Sequence, residues 1–288
     1  MKHELINRVD SVELLIKRLQ GRPFVFTRFG DGDYVIMYRD SIGRIIGKSN
    51  GFVVTKRLQE ELIECHNIND KDFLIASVIN DRSERSTFKN IRESKLLPLK
   101  AKKEMLIFSC LMDTFIDDSP LFLKFAEEMR KTSTLFVCSY NHPNLNMAYG
   151  EIKHYVKIPQ RNCYATIDKW FPEIVSNLDK ADKIVLSAGF AGRVLAKRLK
   201  DCGKTIIDVG SLSDMLIMNT EIINTIPQRS HLRIYKDQIL KSLGELLGYE
   251  VKSELKIVLK SRNRKRKRLS NISRSRERNI KLIDTRRR

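Results

Sequence analysis

The sequence lacks the features that mark membrane, secreted and zinc-binding proteins. No apolar run approaches the roughly 20 residues that a membrane-spanning helix needs, and no hydrophobic stretch typical of a signal peptide follows Met1. The five cysteines are scattered, odd in number and never spaced as Cys-x-x-Cys, which argues against a disulfide scaffold and a zinc site. We therefore expect a soluble protein of a reducing compartment, the cytoplasm.

The composition that remains indicates a globular body. A chain of 288 residues with 42% hydrophobic and 31% charged residues is long enough to bury a full core. We predict one Rossmann-like domain over residues 1–250, followed by a separate basic segment over residues 251–288.

Basic charge is concentrated at the C-terminal end. Residues 261–288, called the basic tail below, contain 13 Lys or Arg and two acids, so their net charge is +11. The preceding 260 residues carry only +8 of the total of +19. Because the basic tail has no aromatic residue and few apolar ones, we expect it to be disordered by itself.

Three interpretations of the basic tail stay open. In the first interpretation it is only a solvated extension. In the second it binds nucleic acid, and each phosphate that it neutralises adds affinity that falls with salt concentration. In the third interpretation it attaches to an anionic membrane or glycan surface. The absence of aromatic residues makes base readout on single strands the least favoured role.

Apolar periodicity predicts alternating helices and strands, which is typical of a largely parallel sheet flanked by helices. The first helix is expected to begin at Asp10 or Ser11 and to end before Gly21. The glycine-containing stretch 45–54 is expected to be a loop. Further strands are predicted over 24–26, 73–79, 135–138, 155–158, 183–188 and 205–210, and further helices over 56–66, 120–131, 170–178 and 193–202.

Two aspartates bracketed by glycines follow the first buried strand, in the segment Arg28-Phe29-Gly30-Asp31-Gly32-Asp33. Carboxylates one residue apart at a strand end suit a hard cation such as Mg²⁺ or Mn²⁺, which shares its remaining positions with a substrate phosphate. The alternative is a tight turn, since Gly and Asp are equally good turn residues. Local spacing leaves both open.

A βαβ unit is predicted near the end of the body. The turn Gly189-Phe190-Ala191-Gly192 separates a continuous apolar strand from a helix, and a second strand ends at Asp208. The two strands should be parallel, and the start of the helix could bind an anion. Alternatively, the glycines only allow close packing. The Gly-x-Gly-x-x-Gly dinucleotide pattern is absent here, so NAD binding is not supported.

Three polar segments are expected at one edge of the sheet. Asp31 with Asp33, Gly189 with Gly192, and Asp208 with Asp214 each come directly after a predicted strand. Ligands of open α/β sheets bind outside the carboxyl ends of the strands. This convergence indicates a function more strongly than any one motif does.

On these residues the chain resembles the GT-D-fold glycosyltransferases. Their first strand ends in Arg-x-Gly-Asp-Gly-Glu, matched here by Arg28 to Asp33. Their C-terminal half contains an Ile-Pro-x-x-Asn segment, a small-residue turn and a strand ending in Asp-Ile-Gly-His. The counterparts are 158–164, 187–192 and 208–211, and the resemblance covers residues 12–216.

The chain departs from the family pattern at four places. Asp33 stands where the family has Glu, Ser211 stands where it has His, and the turn at Gly189 lacks the family's Pro. The family's Glu-Gly with a nearby Arg-x-Gly-x-Gly segment is also absent from the equivalent region, 138–142. We therefore expect the donor or acceptor specificity to differ.

The resemblance implies a hexosyltransferase-like enzyme that moves a sugar from a nucleotide-sugar donor, UDP-linked, to the hydroxyl of an unidentified acceptor. It implies Mn²⁺ or Mg²⁺ as cofactor, held by Asp31 and Asp33 against the diphosphate. Asp208 and Asp214 are the candidate catalytic bases by position. The implied donor-binding residues are Arg28, Gly30, Gly32, Asn162, Gly189, Gly192 and Ser211.

A second hypothesis comes from a different class of protein. The α/β body would be a scaffold without catalytic activity, and the basic tail would bind nucleic acid or another polyanion. In a combined form, a glycosyltransferase uses the tail to reach a polyanionic partner.

Overall fold

The computed structural model describes residues 4–37, 43–45, 52–77, 104–107, 109–217 and 236–248. Its strands are β1 Glu4–Leu5, β2 Val25–Phe29, β3 Gly43–Ile45, β4 Phe52–Val54, β5 Phe73–Ser77, β6 Glu104–Ile107, β7 Thr134–Cys138, β8 Ile152–Lys157, β9 Lys183–Ser187 and β10 Thr205–Asp208. Within the described residues, eight of them form one sheet in the order β1-β6-β5-β2-β10-β9-β7-β8, and every neighbouring pair is parallel. β3 and β4 form a separate antiparallel pair. The predicted α/β fold with a parallel sheet is confirmed.

The helices that flank this sheet are α1 Arg8–Leu19, α2 Asp31–Met37, α3 Lys56–His66, α4 Cys110–Asp117, α5 Ser119–Arg130, α6 Asn144–Tyr149, α7 Ile167–Val175, α8 Phe190–Arg198, α9 Leu212–Leu216 and α10 Lys236–Leu247. They fall into two groups by their contacts. In one group, α3 packs on α2 and α8, and α7 joins it through ion pairs of Asp168 with Arg57 and Arg198. The other group is α1, α4, α5, α6 and α9, and α10 is joined to α5 by the hydrogen-bonded hydroxyls of Ser119 and Ser242.

The central strands are buried because helices cover both of their faces. All five residues of β2 and all five of β7 are buried, as expected of strands in a parallel sheet covered on both sides. The core on one side joins α3 and α8 to the strands, with Leu58, Leu62 and Leu195 fully buried. This packing fixes where the strands end, and therefore where the polar segments after them lie.

Most predicted elements agree with the structure, and the differences lie at their bounds; the predicted helices 170–178 and 193–202, for example, are observed at Ile167–Val175 and Phe190–Arg198. Helix α1 begins at Arg8 rather than near Ser11, because the side chain of Asn7 accepts a hydrogen bond from the backbone N–H of Asp10 and caps the helix. Helix α8 begins at Phe190, three residues before the predicted start. The predicted loop over 45–54 is partly wrong, since β3 and β4 include its two ends.

The chain divides into two units, Met1–Leu246 and Leu247–Arg288. Of the second unit, the structure describes only residues 247 and 248, so the predicted boundary at residue 250 and the disorder of the basic tail stay predictions. Among the described helices, none is long and apolar enough to cross a membrane.

Candidate functional site

The ends of three neighbouring strands bring the predicted polar segments together. Strand β10 lies between β2 and β9 and is parallel to both. The segments that follow β2, β9 and β10 therefore leave the same edge of the sheet. Side chains from these segments are in direct contact through Arg193, which reaches Asp33 and Asp208.

The chain leaves this edge in two directions. After β2 and β9 it enters α2 and α8, which belong to one group of helices, and after β7 and β10 it enters α6 and α9 of the other group. A change of direction between adjacent parallel strands opens a crevice at their carboxyl ends, and ligands of this class of fold bind there. We call this edge the carboxyl-end crevice.

Asp33 lies below the surface of the crevice. Its side chain is 2% exposed, and its Oδ2 accepts a hydrogen bond from the backbone N–H of Gly30 at 2.8 Å. Burial raises the pKa of Asp33 to about 6, against the opposing effect of the nearby Arg193 guanidinium. Asp33 is thus a partnered internal carboxylate rather than a solvent-facing one.

Arg193 is the partner of that carboxylate. Its Nε lies 3.0 Å from Asp33 Oδ1, and its Nη2 donates to Asp33 Oδ2 at 3.1 Å, which makes a two-point contact. Its Nη1 lies 3.1 Å from Asp208 Oδ2 and donates to the carbonyl oxygen of Gly189 at 2.6 Å. Although burial lowers its pKa, Asp33 and Asp208 together raise the pKa of Arg193 above its usual value, so it stays charged.

Asp208 is fully buried at the end of β10. Its Oδ1 accepts from the backbone N–H of Gly210 at 3.0 Å. A Cβ on Gly192 would lie 3.2 Å from Asp208 Oδ2, so the glycine lets helix α8 approach this carboxylate closely. With no exposed surface, Asp208 cannot touch a substrate in this conformation, and its contacts are those of a positioning residue.

Arg28 completes a buried charge cluster, defined as Arg28, Asp33, Arg193 and Asp208. Its side chain is 2% exposed and occupies the space beside Gly210, where an added Cβ would lie only 1.6 Å from Arg28 Nη2. Burial lowers the pKa of Arg28, and the charge of Asp208 partly offsets this. Arg28 therefore contributes to the support of the crevice rather than to its surface.

The buried charge cluster does not have the form of a metal site. Both oxygens of Asp33 are in contact with Arg193, and Asp208 shares the same guanidinium. Among the described residues, no three His, Cys, Asp or Glu side chains are grouped so as to hold an ion. The side chain of Asp31 lies outside the described residues, although its backbone begins α2. Asp33 thus does not fit the metal role that its sequence motif predicts.

The surface of the crevice is formed around Gly189. This residue is exposed, has φ +53°, and would have no atom within 4 Å of an added Cβ. It precedes α8, whose first turn has no side-chain cap, so a helix N-terminus faces open space there. Gly32 lies opposite, where an added Cβ would be 3.0 Å from the ring of Phe190.

The remaining predicted residues surround the same edge at different depths. Ser211 is half-buried, with its Oγ 3.2 Å from the sulfur of Met112. Asp214, in the first turn of α9, is 8% exposed and interacts electrostatically with Cys138 at the end of β7. Asn162 follows β8 with φ +50°, and the next residue, Cys163, donates its thiol hydrogen to the carbonyl of Ala188.

Arg193 is the residue that the sequence interpretation missed. Its neighbours Val194 and Leu195 made the helix appear to be one that packs through apolar residues. The available signal was the acidic motif itself, because two buried carboxylates need a counter-charge, and an arginine can supply it as well as a metal ion. An arginine four residues after a turn glycine, on a helix that leaves the same edge, was the alternative source of that charge.

No family model and no curated protein matches the chain. Solved structures do match it. One, described as the highly conserved domain of unknown function 1792 with a distinct glycosyltransferase fold, aligns at 19% identity and a TM-score of 0.57 over 76% of this chain and 83% of that one. Another, described as a new glycosyltransferase of the same domain from Streptococcus sanguinis, aligns at 17% identity with a TM-score of 0.56. The alignment covers 76% of this chain and 86% of that one.

A third match is a selenomethionine-substituted structure of domain of unknown function 1792, at 18% identity and a TM-score of 0.55. At these identities the likeness establishes the fold alone. The chain has the fold that these structures share.

Proposed function

We propose that this protein is a glycosyltransferase that moves a sugar from a nucleotide-sugar donor, UDP-linked, to an acceptor hydroxyl. The observation that carries the proposal is the carboxyl-end crevice in a glycosyltransferase fold, with the exposed start of helix α8 at Gly189. The resemblance at the same segments, including the GT-D type of motif at Arg28 to Asp33, supports the same reaction.

In this proposal the donor diphosphate lies over Gly189. The partial positive charge at the start of α8 attracts phosphate, and a glycine there lets the phosphate approach the backbone closely. Gly32 and Ser211 border the same edge, and Asn162 lies next to it. Gly30, Gly192 and Arg28 act from below, by shaping the turns that the donor contacts.

The proposed catalytic base is Asp214. Transfer with inversion needs a carboxylate that removes the proton from the acceptor hydroxyl as the hydroxyl attacks the sugar. Of the two candidates, Asp208 is fully buried and bound to Arg193, whereas Asp214 is 8% exposed beside the end of β7. Asp208 then positions α8 rather than touching the acceptor.

In this proposal the donor binds together with a divalent cation. Mn²⁺ or Mg²⁺ bound to the diphosphate would offset the negative charge that grows on the leaving nucleotide. Since Asp33 is held by Arg193, Asp31 is the remaining candidate for a ligand from the acidic motif. The residues of this chain then serve to bind and orient the nucleotide.

The activity test is nucleotide release from a panel of UDP- and other nucleotide-sugars, with Mn²⁺ or Mg²⁺ present. We expect release from one donor, and Asp214→Asn should lower its kcat by about 10²- to 10⁴-fold, the range typical of general-base loss. Asp201→Asn, an exposed aspartate beyond the other end of α8, is the matched control and should leave kcat unchanged. Absence of turnover or donor binding across the panel would refute the proposal.

A non-catalytic polyanion-binding protein is the second candidate function. It is favoured by the +11 net charge of the basic tail. In the combined form, the tail carries the enzyme to a nucleic acid, an anionic membrane or an anionic glycan. Activity without the tail separates the two candidates, because a pure binding protein would release no nucleotide in either form.

A further inference from the structure

The buried charge cluster is already neutral without a metal ion. Two arginines, Arg28 and Arg193, face two aspartates, Asp33 and Asp208, and all four residues are at most 5% exposed. A divalent ion bound among them would add two positive charges to a site with little water. Burying charge without compensation is strongly unfavourable.

The carboxylate oxygens of the cluster are also occupied. Asp33 Oδ1 lies 3.0 Å from the Nε of Arg193, an ion-pair contact without a hydrogen bond, and Asp33 Oδ2 accepts hydrogen bonds from the backbone N–H of Gly30 and from Arg193. Asp208 uses one oxygen for the N–H of Gly210 and the other for Arg193. Mg²⁺ needs oxygen ligands at about 2.0–2.1 Å in octahedral geometry, so it could bind here only if the guanidinium left.

We propose that Arg193, rather than a divalent ion, is the counter-ion of Asp33 and Asp208, and that neither aspartate is a metal ligand. The planar guanidinium makes four contacts that a lysine ammonium could not make in the same geometry. Through them it joins the segments that follow β2, β9 and β10, because its Nη1 also donates to the carbonyl of Gly189. Arg193 is thus a positioning residue that holds the Gly189 turn in place.

The test is Mn²⁺ binding to the full chain, followed by the EPR signal of free Mn²⁺, for wild type and Asp33→Asn. The matched control is Asp72→Asn, since Asp72 is also an aspartate paired with two arginines, Arg18 and Arg22, but at another place in the fold. We expect the Kd of Asp33→Asn for Mn²⁺ to differ by less than about threefold from those of wild type and Asp72→Asn. The alternative expected result is that none of the three proteins binds Mn²⁺. Weakening of about threefold or more in Asp33→Asn alone would overturn the proposal.

Two further measurements keep the test decisive. If Asp33→Asn does not fold, Asp208→Asn is titrated with Mn²⁺ and interpreted by the same criterion. Thermal unfolding should show that the two residues are coupled. The double variant should lose much less stability than the sum of the losses in Asp33→Asn and Arg193→Met. Additive losses would contradict the pairing. These measurements need no donor, acceptor or turnover, so a failure of the proposed glycosyltransferase activity would leave their result intact.

Discussion

At the scale of single residues, glycines and buried charges shape the crevice together. Gly210 has φ +51°, and the guanidinium of Arg28 occupies the space where its side chain would be. Gly192 similarly gives room to the carboxylate of Asp208. The glycines of the sequence motifs therefore accommodate internal side chains, whereas Gly189 alone among these three faces open space.

Replacement of Gly210 by alanine should destabilise the protein far more than replacement of Gly203. Both have positive φ, which costs an L-residue about 1 kcal/mol. An added Cβ on Gly203 meets nothing within 4 Å, whereas one on Gly210 collides with Arg28 and separates it from Asp208. We expect the free energy of unfolding of Gly210→Ala, measured in urea, to fall by about 2–4 kcal/mol more, because the buried guanidinium of Arg28 is displaced from its surroundings. Equal losses would contradict this account.

The buried Lys183 should make the stability of the protein depend on pH, independently of the carboxyl-end crevice. This lysine opens β9 with 2% of its side chain exposed and donates to the carbonyl and hydroxyl of Thr132. Burial lowers its pKa from 10.5 to about 8. The unfolded state then binds more protons than the native state between these pH values, so stability rises with pH across this window.

Lys183→Met removes this titration. As the pH rises from 8 to 10.5, the free energy of unfolding of wild type should increase by on the order of 2 kcal/mol relative to that of the variant. Urea unfolding at each pH measures this difference. The exposed Lys169→Met is the control, and its difference from wild type should stay constant with pH. A constant difference for Lys183→Met as well would refute the assignment.

At the scale of elements, capping residues and apolar faces decided which sequence predictions were right. The predicted helix over 56–66 agrees with α3 at both ends, because Thr55 caps it and its inward face is regular. Helix α8 is different, since it begins without a side-chain cap directly after the Gly189 turn. An uncapped start at a sheet edge is where sequence signals for a helix are weakest.

Loss of the cap of α3 should have a measurable cost. The hydroxyl of Thr55 accepts a hydrogen bond from the backbone N–H of Leu58 at 3.1 Å. Thr55→Ala should lower the free energy of unfolding by about 1 kcal/mol, whereas Thr55→Ser, which keeps the hydroxyl, should lose only a few tenths. Urea unfolding at neutral pH distinguishes them, and equal losses in the two variants would show that the cap is not the cause.

At the scale of the whole molecule, charge and fold are separated along the chain. The parallel sheet that forms the crevice lies within the first 217 residues, whereas more than half of the net charge lies in the basic tail. Catalysis and polyanion binding can therefore be tested on different parts of one protein.

Truncation after Leu259 should leave nucleotide release unchanged and remove most binding to a polyanion such as duplex DNA. Each phosphate that the tail neutralises contributes about −0.9 to the slope of log K against log salt concentration. The full chain should therefore bind with a steep slope and the truncated chain with a much shallower one. An unchanged slope after truncation would show that the body, rather than the basic tail, binds the polyanion.

The sequence by itself determined the class of fold and the edge at which the site lies. Strands with a continuous apolar centre, such as Ile184 to Leu186, each followed by a helix, indicate a parallel sheet covered on both faces. Parallel strands place the segments after them on one edge. That argument needs only local periodicity and chain direction, which the sequence states directly.

Only the tertiary structure shows what Asp33 contacts. Its local pattern fits a metal ligand or a turn equally well, because both need a carboxylate beside a glycine. The choice depends on Arg193, 160 residues later in the chain, which the packing of α8 against β2 and β10 brings to 3.0 Å. A charge partner at such a separation is set by the fold, so no pattern near Asp33 could reveal it.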